Sequence, residues 1–348
     1  MTLPNFSQAH RAIGDPDASA VAPNHAQNYA ALTTGAGIVT LDQRIIVRVT
    51  GDDRIPFMHG MCSNDIKGLA TGAVSPALIL TEHAHIIADF FVYAPGDALL
   101  LEVDRNLWAN ARAHLEKFLV ADDVEFEELD DLGVIDVEGP SATLAVATVA
   151  GDAARSLMPW RHSDAADLRI ANLPRYGVPA FTIIVGRARI ASMLKSLRDR
   201  GIAAGIASIA EVKVEALELV RVEQGIARVG TDTGDKTIAL EARLEPAISY
   251  SKGCYLGQET IERATARGGL KKRLYGLLID GDRLPPVGST IMLAAKEVGR
   301  LTSVVCSPRC GVIGLSILHH SAWQAGTRVT IADAGDQFSA MVSELPFA

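Results

Sequence analysis

From Gly35 onward the chain carries two alternating kinds of apolar pattern. Some short runs place an apolar residue at every second position, as one face of a strand requires. Others place one at every third or fourth, as one face of a helix requires. Gln43–Thr50 (QRIIVRVT) reads as a strand. Gly51-Asp52-Asp53 then opens a helical pattern through Met58, Met61 and Ile66 to Leu69, with Asp52 or Asp53 as N-cap. Ala77–Thr81, His85–Tyr93 and Ala98–Val103 read as strands. Asp104 caps a second helix whose inner face is Leu107, Ala111, Leu115 and Phe118. Strands at Val124–Leu129 and Gly133–Val137 follow, and Gly139-Pro140 punctuates the chain.

The middle of the chain repeats this grammar. Arg169–Ala171 and Phe181–Val185 read as strands, and Arg187–Arg200 as a helix stopped by Gly201. Two strand-helix-strand units of similar size predict a duplicated α+β module, although no sequence repeat accompanies them. From Arg273 the helical period disappears. Short strand-like runs at Tyr275–Ile279, Thr290–Leu293, Glu297–Val305, Gly311–Leu318 and Thr327–Ile331 are separated by Gly and Pro, which predicts a small all-β barrel or sandwich. The expected organisation is a segment 1–25 without regular structure, an α+β module over 26–272 in two subdomains, and a β domain over 273–348.

Composition narrows the function classes. A chain of 348 residues fits two domains, and its net charge of −8 argues against general affinity for nucleic acid or anionic membranes. No apolar run is long enough for a membrane helix, and the N-terminus lacks a basic start followed by an apolar core. The expectation is a cytoplasmic protein with free thiols. Cys306 and Cys310 form a lone C-x3-C pair and His319-His320 point apart on a strand; all four are read as structural, and no metal is expected.

Two stretches carry candidate chemistry. Ser208-Ile209-Ala210-Glu211 has the form of a capping box that starts a helix running towards Gly225. Ile209, Val212, Ala216, Leu219 and Val220 share one face of that helix, and Glu223 projects from the same face in the last turn, where the dipole disfavours a carboxylate. Two readings stand on spacing alone. Glu223 pairs with Arg221, Arg228 or another cation, or it accepts hydrogen bonds from a ligand such as a pterin, whose ring N–H and exocyclic amine form two parallel donors. The second stretch is Lys252-Gly253-Cys254-Tyr255-Leu256-Gly257-Gln258-Glu259, a tight turn before a short helix from Gln258 to about Thr265. Cys254 is either a small buried hydrophobe or a thiolate favoured by the helix N-terminus and Lys252. Arg263, Arg267, Lys271, Lys272 and Arg273 make the region locally basic: a solvated face, or a site for an anionic tail or acidic partner.

The segment KGCYLGQE resembles the K-G-C-Y-x-G-Q-E signature of the YgfZ family, relatives of the glycine-cleavage aminomethyltransferase (T-protein). Gly51-Asp52-Asp53 with Cys62-Ser63-Asn64-Asp65, and Arg221-Val222-Glu223-Gln224-Gly225, are similar to motifs of the same relatives in the same order. The resemblance covers roughly Tyr29 to the C-terminus. It implies an aminomethyltransferase-like fold: two intertwined ferredoxin-like halves that bind folate in a central cavity, then a β-barrel. It also implies tetrahydrofolate or a derivative as cofactor, gripped by Glu223, with Tyr255, Arg263 and Asn64 as further binding residues. Lys252 and Cys254 would line the site beside it, and Asp89 would be a general acid or base. Where T-proteins carry an Asp-Asp pair this chain has Ala88-Asp89, which argues against aminomethyl transfer. The expected function is a folate-binding accessory protein in iron–sulfur protein maturation or repair, with iron–sulfur client or assembly proteins as partners. The alternatives are a folate-dependent one-carbon transferase or demethylase, and a folate-independent interaction protein.

Overall fold

A computed structural model describes residues 23–165, 167–266 and 269–347. Of the segment 1–25, residues 1–22 lie outside the described residues, and Pro23 opens helix α1 (Pro23–Thr34). Strand β1 (Ala36–Thr40) follows. The first module comprises β2 (Arg44–Thr50), α2 (Arg54–Met61), β3 (Val74–Leu80), β4 (Ile86–Tyr93), β5 (Leu99–Asp104), α3 (Arg105–Glu116) and β6 (Glu125–Glu128). The second comprises β7 (Leu132–Glu138), α4 (Ala142–Ala150), α5 (Asp152–Ser156), β8 (Arg161–Ala165), β9 (Leu168–Asn172), β10 (Ala180–Gly186), α6 (Ile190–Ala203) and β11 (Ile209–Glu211).

The expected duplication is visible as topology. The first sheet runs β3-β4-β5-β2-β6 and the second β11-β1-β7-β10-β9-β8. Without β3, β8 and β1, each reduces to the ferredoxin-like order, with the module's own first strand beside its last. Strand β1 precedes the first module in the chain yet lies in the second module's sheet, between β7 and β11. That exchange intertwines the halves. Helices α2 and α3 cover one sheet around Met58, Trp108 and Leu115, and α4 and α6 cover the other around Val146, Met193 and Leu197. The two uncovered sheet faces meet through Val39, Ile46, Leu100, Val134 and Ile184.

Several local expectations give way to tertiary pairing. The helix from Asp53 stops at Met61, because Cys62 bridges Ile79 and Ser63 N donates to Leu78 O at 3.0 Å. Asp53 is the N-cap residue but caps no helix amide; its carboxylate accepts from Asp123 N at 2.9 Å. Asp104 does cap α3, through Asn106 N at 2.8 Å. Phe118, expected on the inner face of that helix, lies beyond its end and is exposed. Gly201 does not stop α6. It lies within the helix, where a Cβ would come within 2.4 Å of Ile209 Cδ1. The capping box at Ser208 is no helix start either: Ile209–Glu211 is β11, parallel to β1, with Ala36 N donating to Ser208 O at 2.8 Å. The helix that carries Glu223, α7 (Val214–Glu223), starts three residues later and buries Leu217 rather than Leu219.

After α8 (Gln258–Ala266) come β12 (Lys272–Ile279), β13 (Thr290–Leu293), β14 (Lys296–Arg300), β15 (Ser303–Ser307), β16 (Gly311–His319), β17 (Arg328–Asp333) and β18 (Asp336–Ser343). They form one antiparallel sheet in the order β14-β13-β17-β18-β12-β16-β15. The run Glu297–Val305, expected as one strand, turns a corner at Leu301-Thr302. Beyond it, Thr302 N donates to Leu315 O at 2.9 Å and Ser316 Oγ to Arg300 O at 2.7 Å. These bonds draw β14 against β16 and curl the sheet into a barrel. Among the described residues no helix is long and apolar enough to cross a membrane.

Candidate functional site

The segment Arg221-Val222-Glu223-Gln224-Gly225 does four jobs within one turn. Arg221, buried, clamps α7 to the barrel: its guanidinium donates to Asp232 at 2.7 Å and to Ser303 Oγ at 2.6 Å. Val222 is core. Gly225 ends the helix at φ +67, the left-handed geometry glycine adopts freely, and a Cβ there would come within 2.6 Å of Leu345. Glu223 does project inward, and is 3% exposed.

Neither Arg221 nor Arg228 pairs with Glu223; both are engaged by Glu218. The carboxylate is held instead by two hydroxyls. Tyr29 of α1 donates to its two oxygens at 3.0 and 3.1 Å, and Ser307 of the β15–β16 turn donates to Oε1. Arg309, from the same turn, lies 3.9 Å from Oε2. Burial, reinforced by the Glu223 charge, pushes the Tyr29 phenol up to about 12, so it stays a donor at neutral pH. A cavity of about 260 Å³ opens beside the carboxylate, lined among others by Tyr29, Leu32, Pro179, Val220 and Arg309. It sits at the seam of α1, α7 and the barrel. Asp89, Lys252, Cys254, Tyr255, Asn64 and Arg263 are not among its lining residues.

The Cys-Tyr loop is a second, separate arrangement. Lys252 does not serve Cys254. Its ammonium is turned inward onto the end of α2, donating to the carbonyls of His59, of Cys62 (2.6 Å) and of Asn64 (3.0 Å). Desolvation pulls its pKa down to about 8, against the opposing pull of Cys62 and Asp65. The Tyr255 ring lies 4.9 Å below this ammonium. Leu256 N donates to Gly60 O at 3.1 Å, and Gly257 takes φ +87 where a Cβ would strike Thr81 O at 2.6 Å. Cys254 therefore sits exposed between two anchored ends, just ahead of α8. We expect Lys252→Met to cost about 2 kcal/mol of stability by stranding these carbonyls. A denaturation midpoint equal to wild type would contradict that anchoring role.

The remaining expected residues are placed as follows. Asn64 Nδ2 donates to Pro76 O at 2.8 Å, and its own carbonyl meets Lys252, so it joins the loop site by its backbone. Ala88 is fully buried among Met58, Phe90 and Trp108, whereas Asp89 is half-buried on the face of β4 that also carries Phe91 and Tyr93, towards the second sheet. Arg263 pairs with Glu259 one turn away, over a shallow surface depression shared with Glu262. Arg273 pairs with Glu245, and Arg267 lies outside the described residues. Acidic partners thus engage Arg263 and Arg273 of the expected basic patch. Among the described residues no group of three or more His, Cys, Asp and Glu side chains is placed to hold a metal ion. Tyr29, Ser307 and Arg309 were not legible as site residues; the only hint was the C-x3-C turn that contains the last two.

The family model of the GCVT N-terminal domain matches residues 4–252, and that of the glycine cleavage T-protein C-terminal barrel domain matches 272–348. A putative chloroplastic transferase of Arabidopsis thaliana is 29% identical over 326 residues, covering 91% of this chain and 72% of the relative. An aminomethyltransferase of Rubrobacter xylanophilus is 26% identical, covering 83% and 77%. The tRNA-modifying protein YgfZ of Yersinia enterocolitica is 24% identical, covering 77% and 78%. The crystal structure of aminomethyltransferase T from Bartonella henselae superposes with a TM-score of 0.82 at 19% identity, over 93% of this chain and 89% of that one. At that identity the likeness is one of fold. With the two domain models matching 4–252 and 272–348, the chain belongs to the glycine cleavage T-protein family.

Proposed function

We propose that this chain is a tetrahydrofolate-binding accessory protein in the maturation or repair of iron–sulfur proteins. The observation that carries the reading is Glu223: a buried carboxylate at a cavity, held by two hydroxyls, with Arg309 as its paired cation at 3.9 Å. Burying such a charge is costly unless its acceptor capacity is used. A pterin supplies two parallel N–H donors of the right spacing, and folate use by the family supports that ligand. The cavity of about 260 Å³ suits the pterin ring, leaving the rest of the folate to extend through its mouth. The exposed, doubly anchored Cys254 is the group that meets a client protein or its chemistry. The name of the YgfZ relatives points to tRNA modification. With a net charge of −8, this chain would contribute to that through a protein client rather than by holding RNA.

The test separates the two sites. Cys254→Ala is expected to bind tetrahydrofolate as wild type does, yet fail to restore iron–sulfur enzyme activities in a strain lacking the chain. Full restoration would remove the thiol from the mechanism. One observation favours a second reading, a folate-dependent one-carbon transferase. Of the two positions that carry Asp-Asp in T-proteins, the one lost here points into an apolar core, and Asp89 remains on the half-buried face. Release of methylene- or methyltetrahydrofolate from an amine donor by purified protein would establish that reading. No product with any one-carbon amine would dismiss it.

A further inference from the structure

We propose that Arg309 reads the C4 oxygen of a pterin held on Glu223, making the site selective for 4-oxo over 4-amino pterins. The inference rests on the folate reading above and adds a specificity residue to it. The edge of a 4-oxopterin presents, in order, a carbonyl acceptor at C4, the N3–H donor and the C2 amino donor. Glu223 offers two acceptors to the two donors. What the third position needs is a donor beside one carboxylate oxygen, and Arg309 Nη2 lies 3.9 Å from Oε2.

The placement of Arg309 is built rather than incidental. Ser307 Oγ donates to Glu223 and accepts the backbone N–H groups of Arg309 and Cys310, each at 3.0 Å, so one hydroxyl fixes both the carboxylate and the turn. Arg309 Nη2 also donates to Phe347 O at 3.2 Å, and Phe347 N donates to Glu223 O at 2.9 Å. The barrel hairpin, the C-terminal segment and the end of α7 thereby lock the guanidinium beside the carboxylate. Its Nε and Nη1 have no protein acceptor among the described residues, and the side chain is 48% exposed at the mouth of the cavity. A C4 oxygen would fill that position. A C4 amino group would set a donor against a cation, and sites built for a polar group reject analogues that lack it far more strongly than apolar sites do.

The experiment is a calorimetric titration of the whole chain with tetrahydrofolate and with its 4-amino-4-deoxy counterpart, in wild type, Arg309→Met and Arg309→Lys. A 4-amino ring also changes the protonation of N3, so the wild-type preference alone does not isolate Arg309; the change in preference does. Wild type is expected to favour the 4-oxo ligand by about tenfold or more. Arg309→Met should lose most of that ratio, mainly through weaker 4-oxo binding, and Arg309→Lys should recover part of it. If Arg309→Met weakens both ligands equally, or wild type binds tetrahydrofolate without 4-oxo preference, the inference fails while the folate reading stands. If wild type binds neither ligand, both fall.

Discussion

Glu223→Gln is expected to weaken tetrahydrofolate binding by about a hundredfold or more, with little change in the thermal midpoint. The asymmetry follows from what the two states ask of the group. In the free protein the carboxylate accepts from Tyr29 and Ser307, and both donors are hydroxyls that rotate. An amide can keep its oxygen towards Ser307, whose own lone pairs already accept from Arg309 N and Cys310 N, while the Tyr29 hydroxyl turns to accept from the new NH2. The substitution also removes a buried charge whose paired cation stands 3.9 Å away. Stability therefore stays level or rises slightly.

Ligand binding has no such freedom. A pterin edge brings two N–H donors at fixed spacing, and the amide meets one of them with a donor of its own. That loses a charge-assisted bond and leaves an N–H unsatisfied in a site that excludes water, about 3 kcal/mol together, or roughly a hundredfold in Kd. Calorimetric titration of both proteins measures it directly. Equal affinity would show that the ligand does not use this carboxylate. No binding by wild type would leave the fold in the service of protein contacts alone.

Where the sequence was legible, the structure depends on short-range physics. Asp104 caps α3 through its own second neighbour, and alternation in β4 survives because the strand buries one face more deeply than the other. The change at Arg273 from helical to strand texture reflects a barrel in which each strand pairs with its neighbours. Pairing over long separation accounts for the misread helix limits at Met61 and Ser208. Ser208-Ile209-Ala210-Glu211 carries a helix-start pattern, but β1 captures its backbone from far upstream. Helix α4 (ATLAVATVA) shows no polar stripe, so it offers no helical period, because it lies against a sheet on one side and α6 on another. At the candidate site, Glu223 was legible because it violates two local rules. Tyr29 is 194 residues away from it and Ser307 is 84, and beyond the C-x3-C spacing around Ser307 nothing local announces the contact. Lys252 misled for a different reason. Two residues from Cys254 in sequence, it spends its charge on carbonyls at and just beyond the end of α2, some 190 residues away.

Arg175→Met is expected to cost about 3–5 kcal/mol, a large share of the stability of a protein this size. Arg175 lies in the loop after β9, where the two uncovered sheet faces meet, and its side chain is 4% exposed. It donates to Glu102 of β5 at 2.9 Å and to Thr182 of β10 at 2.6 Å, and its Nε stands 3.2 Å from Asp136 of β7. Tyr93 donates to Glu102 at 2.6 Å, and Arg44 approaches it at 3.6 Å. One guanidinium thus ties the first module's sheet to the second's. Burial works against the Glu102 charge, yet Arg175 and then Arg44 hold its pKa below the ordinary value. Burial raises Asp136 despite Arg175, and burial with the Asp136 charge holds Glu138 well above the usual carboxylate range. Removing Arg175 leaves Glu102 and Asp136 charged and under-compensated. The folded-state pKa of Glu102 would then rise above its unfolded value, and that of Asp136, already raised, would rise further, a stability cost that is complete at high pH and disappears as pH falls below the unfolded values. The deficit of Arg175→Met should accordingly narrow as pH falls from about 7 to about 5. Adding Glu102→Gln and Asp136→Asn should recover much of it at neutral pH, since a neutral network of the same shape no longer needs the cation. Urea denaturation of the three proteins at both pH values measures each term. A constant deficit across pH, unrelieved by the neutral pair, would mean that Arg175 acts through packing on Phe91, 4.7 Å from its guanidinium, rather than through charge.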